Sequence, residues 1–195
     1  MKKRRERLIH ALAVVCAFAA QGGIFATAQT AGEAPASDAT LAAKANAGDA
    51  AAQVQAGDTC ASARDYKQAV EWYTKAANQG NITAELNLAS LYRDGRGKLF
   101  ARDVEQAASW YRKAAEQGDA RAQAALGMLY TLGLGVPRSD VEAYYWLDLA
   151  AAAKGPNQEQ YAANRQAVGT RITADELEEV QYRVAAWKAK HPRPE

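Results

Sequence analysis

The sequence predicts an all-α fold, an α-solenoid of helix-turn-helix repeats with a C-terminal capping helix. Three observations carry that prediction. A stretch of the form Ala-x-x-x-Leu-x-x-x-Tyr-x-x-Gly-x-Gly occurs twice, with Ala84/Ala122, Leu88/Leu126, Tyr92/Tyr130, Gly95/Gly133 and Gly97/Gly135 each 38 residues apart. Such an interval marks stacked supersecondary units. Gly48-Asp49, Gly80-Asn81 and Gly118-Asp119 each end an alanine-rich segment and open another, glycine closing a helix and Asp or Asn capping the next. Gly155-Pro156 ends the series, so the stops at 48, 80, 118 and 155 define units of 32, 38 and 37 residues.

Residues 1–28 are expected to be a secretory signal peptide. Lys2, Lys3, Arg4, Arg5 and Arg7 precede an apolar run from Leu8 to Phe18, and Ala26-Thr27-Ala28 supplies small residues before Gln29. The run is shorter than the roughly 20 residues a membrane-spanning helix needs, so no integral membrane segment is expected after cleavage. A lipid anchor on Cys16 is disfavoured because Val15, not a small residue, precedes it. Cleavage would leave 19 basic and 21 acidic side chains, so the basic balance of the whole chain belongs largely to the signal. Nucleic acid is therefore not an expected partner. Cys60 would be the one remaining cysteine, which excludes an internal disulfide or a CxxC redox site.

Residues 29–39 are small and polar and read as a disordered leader. The repeat domain is expected over residues 40–190, with units at about 49–80, 81–118 and 119–155, a C-terminal cap at 156–190 and a tail at 191–195. In the second unit a first helix over about 82–93 places Ala84, Leu88, Leu91 and Tyr92 on one side. Its second helix, about 104–117, carries Ala107, Trp110, Tyr111, Ala114 and Ala115, whose small residues allow close approach. Unit three repeats the plan with Ala122, Leu126, Leu129 and Tyr130, then Ala143, Trp146, Leu147, Ala150 and Ala151. Unit one has a shorter loop, and Cys60 falls in the slot held by Tyr92 and Tyr130, which makes it a core residue. Beyond Gly155, Thr173 and Glu176 form a capping box, and Leu177, Val180, Val184 and Trp187 give the last helix an apolar stripe for closing the stack.

The residues Ala122-x-x-x-Leu126-Gly127-x-x-Tyr130-x-x-Gly133-x-Gly135-Val136, followed by Ala143-x-x-Trp146 and Gly155, resemble the Sel-one-like repeat, a longer-looped relative of the tetratricopeptide repeat. Residues 84–118 form a second copy, with Ala89 in place of glycine and Lys98 in place of valine; unit one is degenerate and has tetratricopeptide length. The resemblance implies a scaffold or adaptor role, and it extends to periplasmic regulators of sensors, envelope or secretion-assembly factors and host-interaction factors. Cysteine-rich relatives are linked to cell-wall or β-lactam chemistry. This chain lacks their cysteine pair in each repeat and has no Ser-x-x-Lys nucleophile motif.

Catalysis and metal binding are poorly supplied. His191, in the tail, is the one histidine outside the signal, so neither a nucleophile-histidine pair nor a four-ligand zinc site is expected, and no cofactor is expected. Gly95-x-Gly97 and Gly133-x-Gly135 lack the third glycine and the preceding strand of a nucleotide fingerprint. Glu71, Glu178 and Glu179 read as solvated charge, and the aromatic pairs at 72/73, 110/111 and 145/146 as packing, with Tyr144 and Tyr145 as exposed exceptions.

What remains is the concave face, lined in helix-pair solenoids by the first helix of each unit. Positions at i, i+3, i+7 and i+10 beside the core stripe select Thr83, Leu86, Ser90 and Arg93 in unit two and Arg121, Ala124, Met128 and Thr131 in unit three. Two arginines with a Met and a Leu in a polar groove suit a protein or peptide partner. The sequence therefore reads as a non-enzymatic, secreted, bacterial periplasmic repeat protein that binds a polypeptide in that groove. A self-associating structural module is the rival, and the oligomeric state is left open.

Overall fold

The computed structural model describes residues 36–192, with side chains from Thr40. The signal-peptide and leader expectations for residues 1–35 and the last three tail residues lie outside that range. Among the described residues there are nine helices and no strand: α1 Ala36–Asn46, α2 Ala50–Ser62, α3 Tyr66–Ala77, α4 Ile82–Asp94, α5 Val104–Glu116, α6 Ala120–Leu132, α7 Asp140–Ala151, α8 Gln158–Gly169 and α9 Ala174–Lys190. No described helix is long and apolar enough to cross a membrane. This is the all-α repeat architecture that the period predicts.

One expectation shifts at the start. Helix α1 begins at Ala36, inside the stretch 29–39 read as leader. The alanines at 36, 39, 42 and 43 favour helix locally, and Ala45, 1% exposed, packs α1 onto α2. At the other end α9 continues to Lys190, and the His191 ring stacks on Trp187 at 4.1 Å.

The chain divides into two compact units. Of the described residues, one holds those up to Leu88 with Arg96–Phe100; the other holds Ala89–Gly95 and those from Ala101 on.

In the first unit α1 packs on α2 and α2 on α3. The N-caps are Asp49, which accepts from the Ala52 amide at 2.8 Å, and Asp65, which accepts from Gln68 at 3.1 Å. Gly57 lies under the Tyr73 ring so closely that a Cβ there would overlap it. Tyr73 is thereby 3% exposed and sends its hydroxyl to Asp58 at 2.6 Å. Cys60 is fully buried, and its carbonyl accepts from the Asp65 amide at 2.9 Å.

In the second unit α5 packs on α6, α6 on α7, α7 on α8, and α9 lies against α7. The same local rules recur. Asp103 N–H donates to the Tyr92 carbonyl at 2.8 Å and Ser139 N–H to the Tyr130 carbonyl at 3.1 Å, the backbone bonds that Asp65 and Cys60 make in the shorter unit. The slot is thus marked by the same backbone bond whether it holds cysteine or tyrosine. Gly127 repeats the close approach of Gly57, since a Cβ would stand 2.8 Å from Leu147 Cγ and 3.1 Å from the Ala143 carbonyl. Gly133 takes φ +67° to close α6 with a bond to the Leu129 carbonyl.

The aromatic residues divide. Trp72, Tyr73, Tyr111 and Trp146 are buried as packing requires. Trp110 is half-buried and carries the Lys113 ammonium 3.8 Å from its ring centre, as Trp72 carries Lys75 at 4.2 Å. Tyr145 corrects the sequence reading: it is 8% exposed, set edge-on to Trp146 and covered by the Arg183 guanidinium at 4.5 Å. Its neighbour Tyr144 is half-buried, against Gly169. Burial of Tyr145 comes from α9, whose position the local repeat does not encode.

Candidate functional site

The first helices α4 and α6 place their apolar stripes inward because Ala84, Leu88, Leu91, Ala122, Leu126 and Leu129 recur at helical spacing; all six are buried. The positions beside that stripe form the candidate surface. In the first unit they are Thr83, exposed, and Leu86, half-buried, both on α4. In the second they are Ser90 and Arg93 from the end of α4 and Arg121, Met128 and Thr131 from α6.

Arg93 is held rather than free. Its Nε donates to Asp94 at 2.7 Å, its Nη1 donates to the Tyr111 hydroxyl at 2.8 Å, and 43% of the side chain stays exposed. The hydrogen bond to Asp94 raises the guanidinium pKa further, so its charge is permanent, while burial pushes the Tyr111 phenol up. Ser90 sends its hydroxyl toward Asp94 at 3.5 Å.

Arg121 is fixed differently. It sits in the first turn of α6 and donates through Nη2 to Asp119 at 2.8 Å, with 63% of the side chain exposed. Asp119 also caps the helix, accepting from the Arg121 and Ala122 amides at 2.9 and 3.0 Å. Burial alone would push this carboxyl up, but the bonds from Arg121 and the Ala122 amide outweigh it and hold it below the ordinary carboxylate range. Met128 is half-buried, and the Thr131 hydroxyl turns back to the Gly127 carbonyl at 2.9 Å. The second unit thus presents two positioned guanidinium groups and a half-buried thioether.

Ala124 departs from the expectation. It is 6% exposed and belongs to the core, as does Val54 at the equivalent place in α2, 8% exposed. The i+3 position of the pattern therefore sits at the core edge, which also explains why Leu86 is only half-open.

Sequence reasoning missed Asp58. It occupies in unit one the position that Ser90 and Met128 occupy later, is exposed, and accepts from Tyr73 Oη and from Asn87 Nδ2 at 3.1 Å. Extending the four-position pattern back by 32 residues from α4 to α2 would have found it. The first unit therefore offers a fixed carboxylate, and the second offers fixed guanidinium groups. Among the described residues no group of three or more His, Cys, Asp or Glu side chains is placed to hold a metal ion.

A family model described as the Sel1 repeat matches residues 51–81, 82–119 and 120–154. Among solved structures the chain is similar to a protective antigen of uropathogenic Escherichia coli strains that displays an SLR fold, with 29% identity over 97% of this chain and a TM-score of 0.67. This chain spans 40% of that antigen. It is also similar to a Sel1 repeat protein from Oxalobacter formigenes, with 30% identity, a TM-score of 0.57, and coverage of 66% of this chain and 96% of that one. No curated protein matches it. Three tandem matches across more than half of the residues, on helices whose caps, glycine contacts and loop bonds repeat in the same register, mean that the chain belongs to the Sel1 repeat family.

Proposed function

We propose that this protein is a non-enzymatic interaction scaffold, exported to the bacterial periplasm, that binds a partner polypeptide on the face lined by its first helices. Sel1 repeats generally mediate protein-protein interactions, which gives the class. The observation that carries the finer reading is the state of Arg93 and Arg121: each guanidinium is held by an adjacent Asp yet keeps 43% and 63% of its side chain exposed. Positioned guanidinium groups lose less freedom on binding than free ones, and Arg is enriched where partners dock. Half-buried Met128, on the same helix as Arg121, supplies an adaptable apolar contact. The exported location rests on the basic, apolar and small-residue order of residues 1–28, and a role in envelope signalling or assembly is proposed with it.

The test is affinity capture from the envelope fraction with the wild-type chain and with Arg93→Glu/Arg121→Glu. A partner retained by the wild type and lost by the double variant, at unchanged helicity, supports the reading; a partner retained equally by both rejects it. Location is checked separately by fractionation and by N-terminal sequencing of the exported protein, with Gln29 as the expected first residue.

A further inference from the structure

Tyr182 is the most exposed large apolar side chain among the described residues, at 77%. Its surroundings in sequence are not arbitrary. The second helices of the repeats carry Tyr73-x-x-Ala76-Ala77 in α3 and Tyr111-x-x-Ala114-Ala115 in α5, and all six residues are 5% exposed or less. Helix α9 carries the same spacing as Tyr182-x-x-Ala185-Ala186, and there all three are exposed.

The cause of the exposure is visible. Helix α8 has Arg165 where α2 and α6 have Gly57 and Gly127, and Arg165 is engaged with Asp148 at 2.7 Å. No small residue stands there to receive a tyrosine, as Gly57 receives Tyr73. Instead α9 turns Val180 and Val184 inward and sets Trp187 against Gly118, while Arg183 pairs with Glu142 at 2.8 Å and Lys188 with Asp148 at 3.7 Å. At 100° per residue, Glu178, Tyr182, Ala185, Ala186 and Ala189 then lie on the opposite side of the helix, away from α7.

We infer that this face of α9 is a self-association surface whose occupant is α9 of a second copy, packed antiparallel. Two features of the one helix select that occupant. The face contains both the knob and the shallow place for it, Tyr182 and Ala186, repeating the tyrosine-over-small-residue contact that Tyr73 makes with Gly57. The charges are asymmetric: Glu178 and Glu179 lie toward the N-terminus, and Lys190 closes the C-terminus. A two-fold axis at the level of Val184 sets Tyr182 opposite Ala186 of the second copy and Glu178 opposite its Lys190, with the same contacts returned, as an isologous interface requires. A parallel pairing would set Glu178 against Glu178 and align the helix dipoles unfavourably. The contact is one pair of 17-residue helices, each about 25 Å long, which lies at the low end of stable interfaces, so the dimer depends on concentration. The inference stands apart from the first-helix surface, since none of its residues is shared.

Sedimentation equilibrium of the full chain over a wide concentration range, in low and high salt, tests it. A monomer–dimer equilibrium is expected, weakened by added salt. Tyr182→Glu is expected to weaken dimerisation by about tenfold or more, with helicity by circular dichroism unchanged because the side chain is exposed. Glu178→Lys and Lys190→Glu should each weaken it, and the two together should restore it, an outcome that association through residues 1–28 would not give. A monomer at every concentration overturns the inference. So does a dimer indifferent to Tyr182→Glu, or single charge reversals that the double variant fails to rescue.

Discussion

At the scale of single residues, three buried polar side chains occupy one slot of the repeat. Gln53 and Gln123 each donate their amide to a carbonyl eight residues earlier, that of Ala45 and that of Ala115, both at 3.1 Å. Glu85, 2% exposed, holds the slot in unit two, where the corresponding carbonyl is that of Ala77. Asp119 gives a residue-scale expectation. Its pKa is depressed in the fold, so its pairing adds stability above the unfolded carboxylate pKa, and that stability is lost as pH falls through the folded value. Asn81 already caps α4 through its side-chain oxygen at 3.0 Å, so Asp119→Asn keeps a cap and loses the ion pair. Because Arg121 is largely exposed, the loss at pH 7 should be below about 1 kcal/mol. Melting curves from pH 7 to pH 3 should show the gap between variant and wild type closing on the acid side.

At the scale of elements, each helix start was readable where an Asp, Asn or Thr stood before an alanine-rich run. The start of α5 was legible at about 104, whereas those of α3 and α7 were not marked; Asp65, Asp103 and Ser139 cap the three helices through side-chain bonds of 3.0 to 3.2 Å. The last helix shows both local and remote determination. Its capping box is local: the Thr173 amide donates to Glu176 at 2.8 Å and the Glu176 amide to the Thr173 hydroxyl at 3.3 Å. Its rotation is remote, set by Glu142 and Asp148 on α7, which hold Arg183 and Lys188. Thr173→Ala is expected to cost about 1 kcal/mol and to speed amide exchange over the first turns of α9, while α6 and α7 keep their protection. Uniform acceleration across all helices would show that α9 does not open by itself.

At the scale of the molecule, stacked repeats derive stability from intrinsic helix terms and nearest-neighbour contacts. The fully buried Leu126, Leu147 and Leu149 lie in α6 and α7, whereas Ala45 is the one buried side chain described in α1. Native-state hydrogen exchange should rank α6 and α7 slowest and α1 among the fastest; equal protection throughout would mean that the array unfolds as one block.

The sequence by itself determined the helix-pair units, their punctuation and the core stripe, because each depends on spacing and capping within one stretch of chain. It also determined that Cys60 fills a tyrosine slot, since that slot is marked by register. Only the tertiary structure decided what each off-stripe residue does. Ala124 is core and Met128 is half-open although both fit one helical pattern, Tyr145 is covered because Arg183 of α9 lies over it, and Tyr182 is exposed because α9 turns Val180 and Val184 inward. Burial of such a residue is a property of the neighbouring helix, and a repeat motif describes only the helix that carries it.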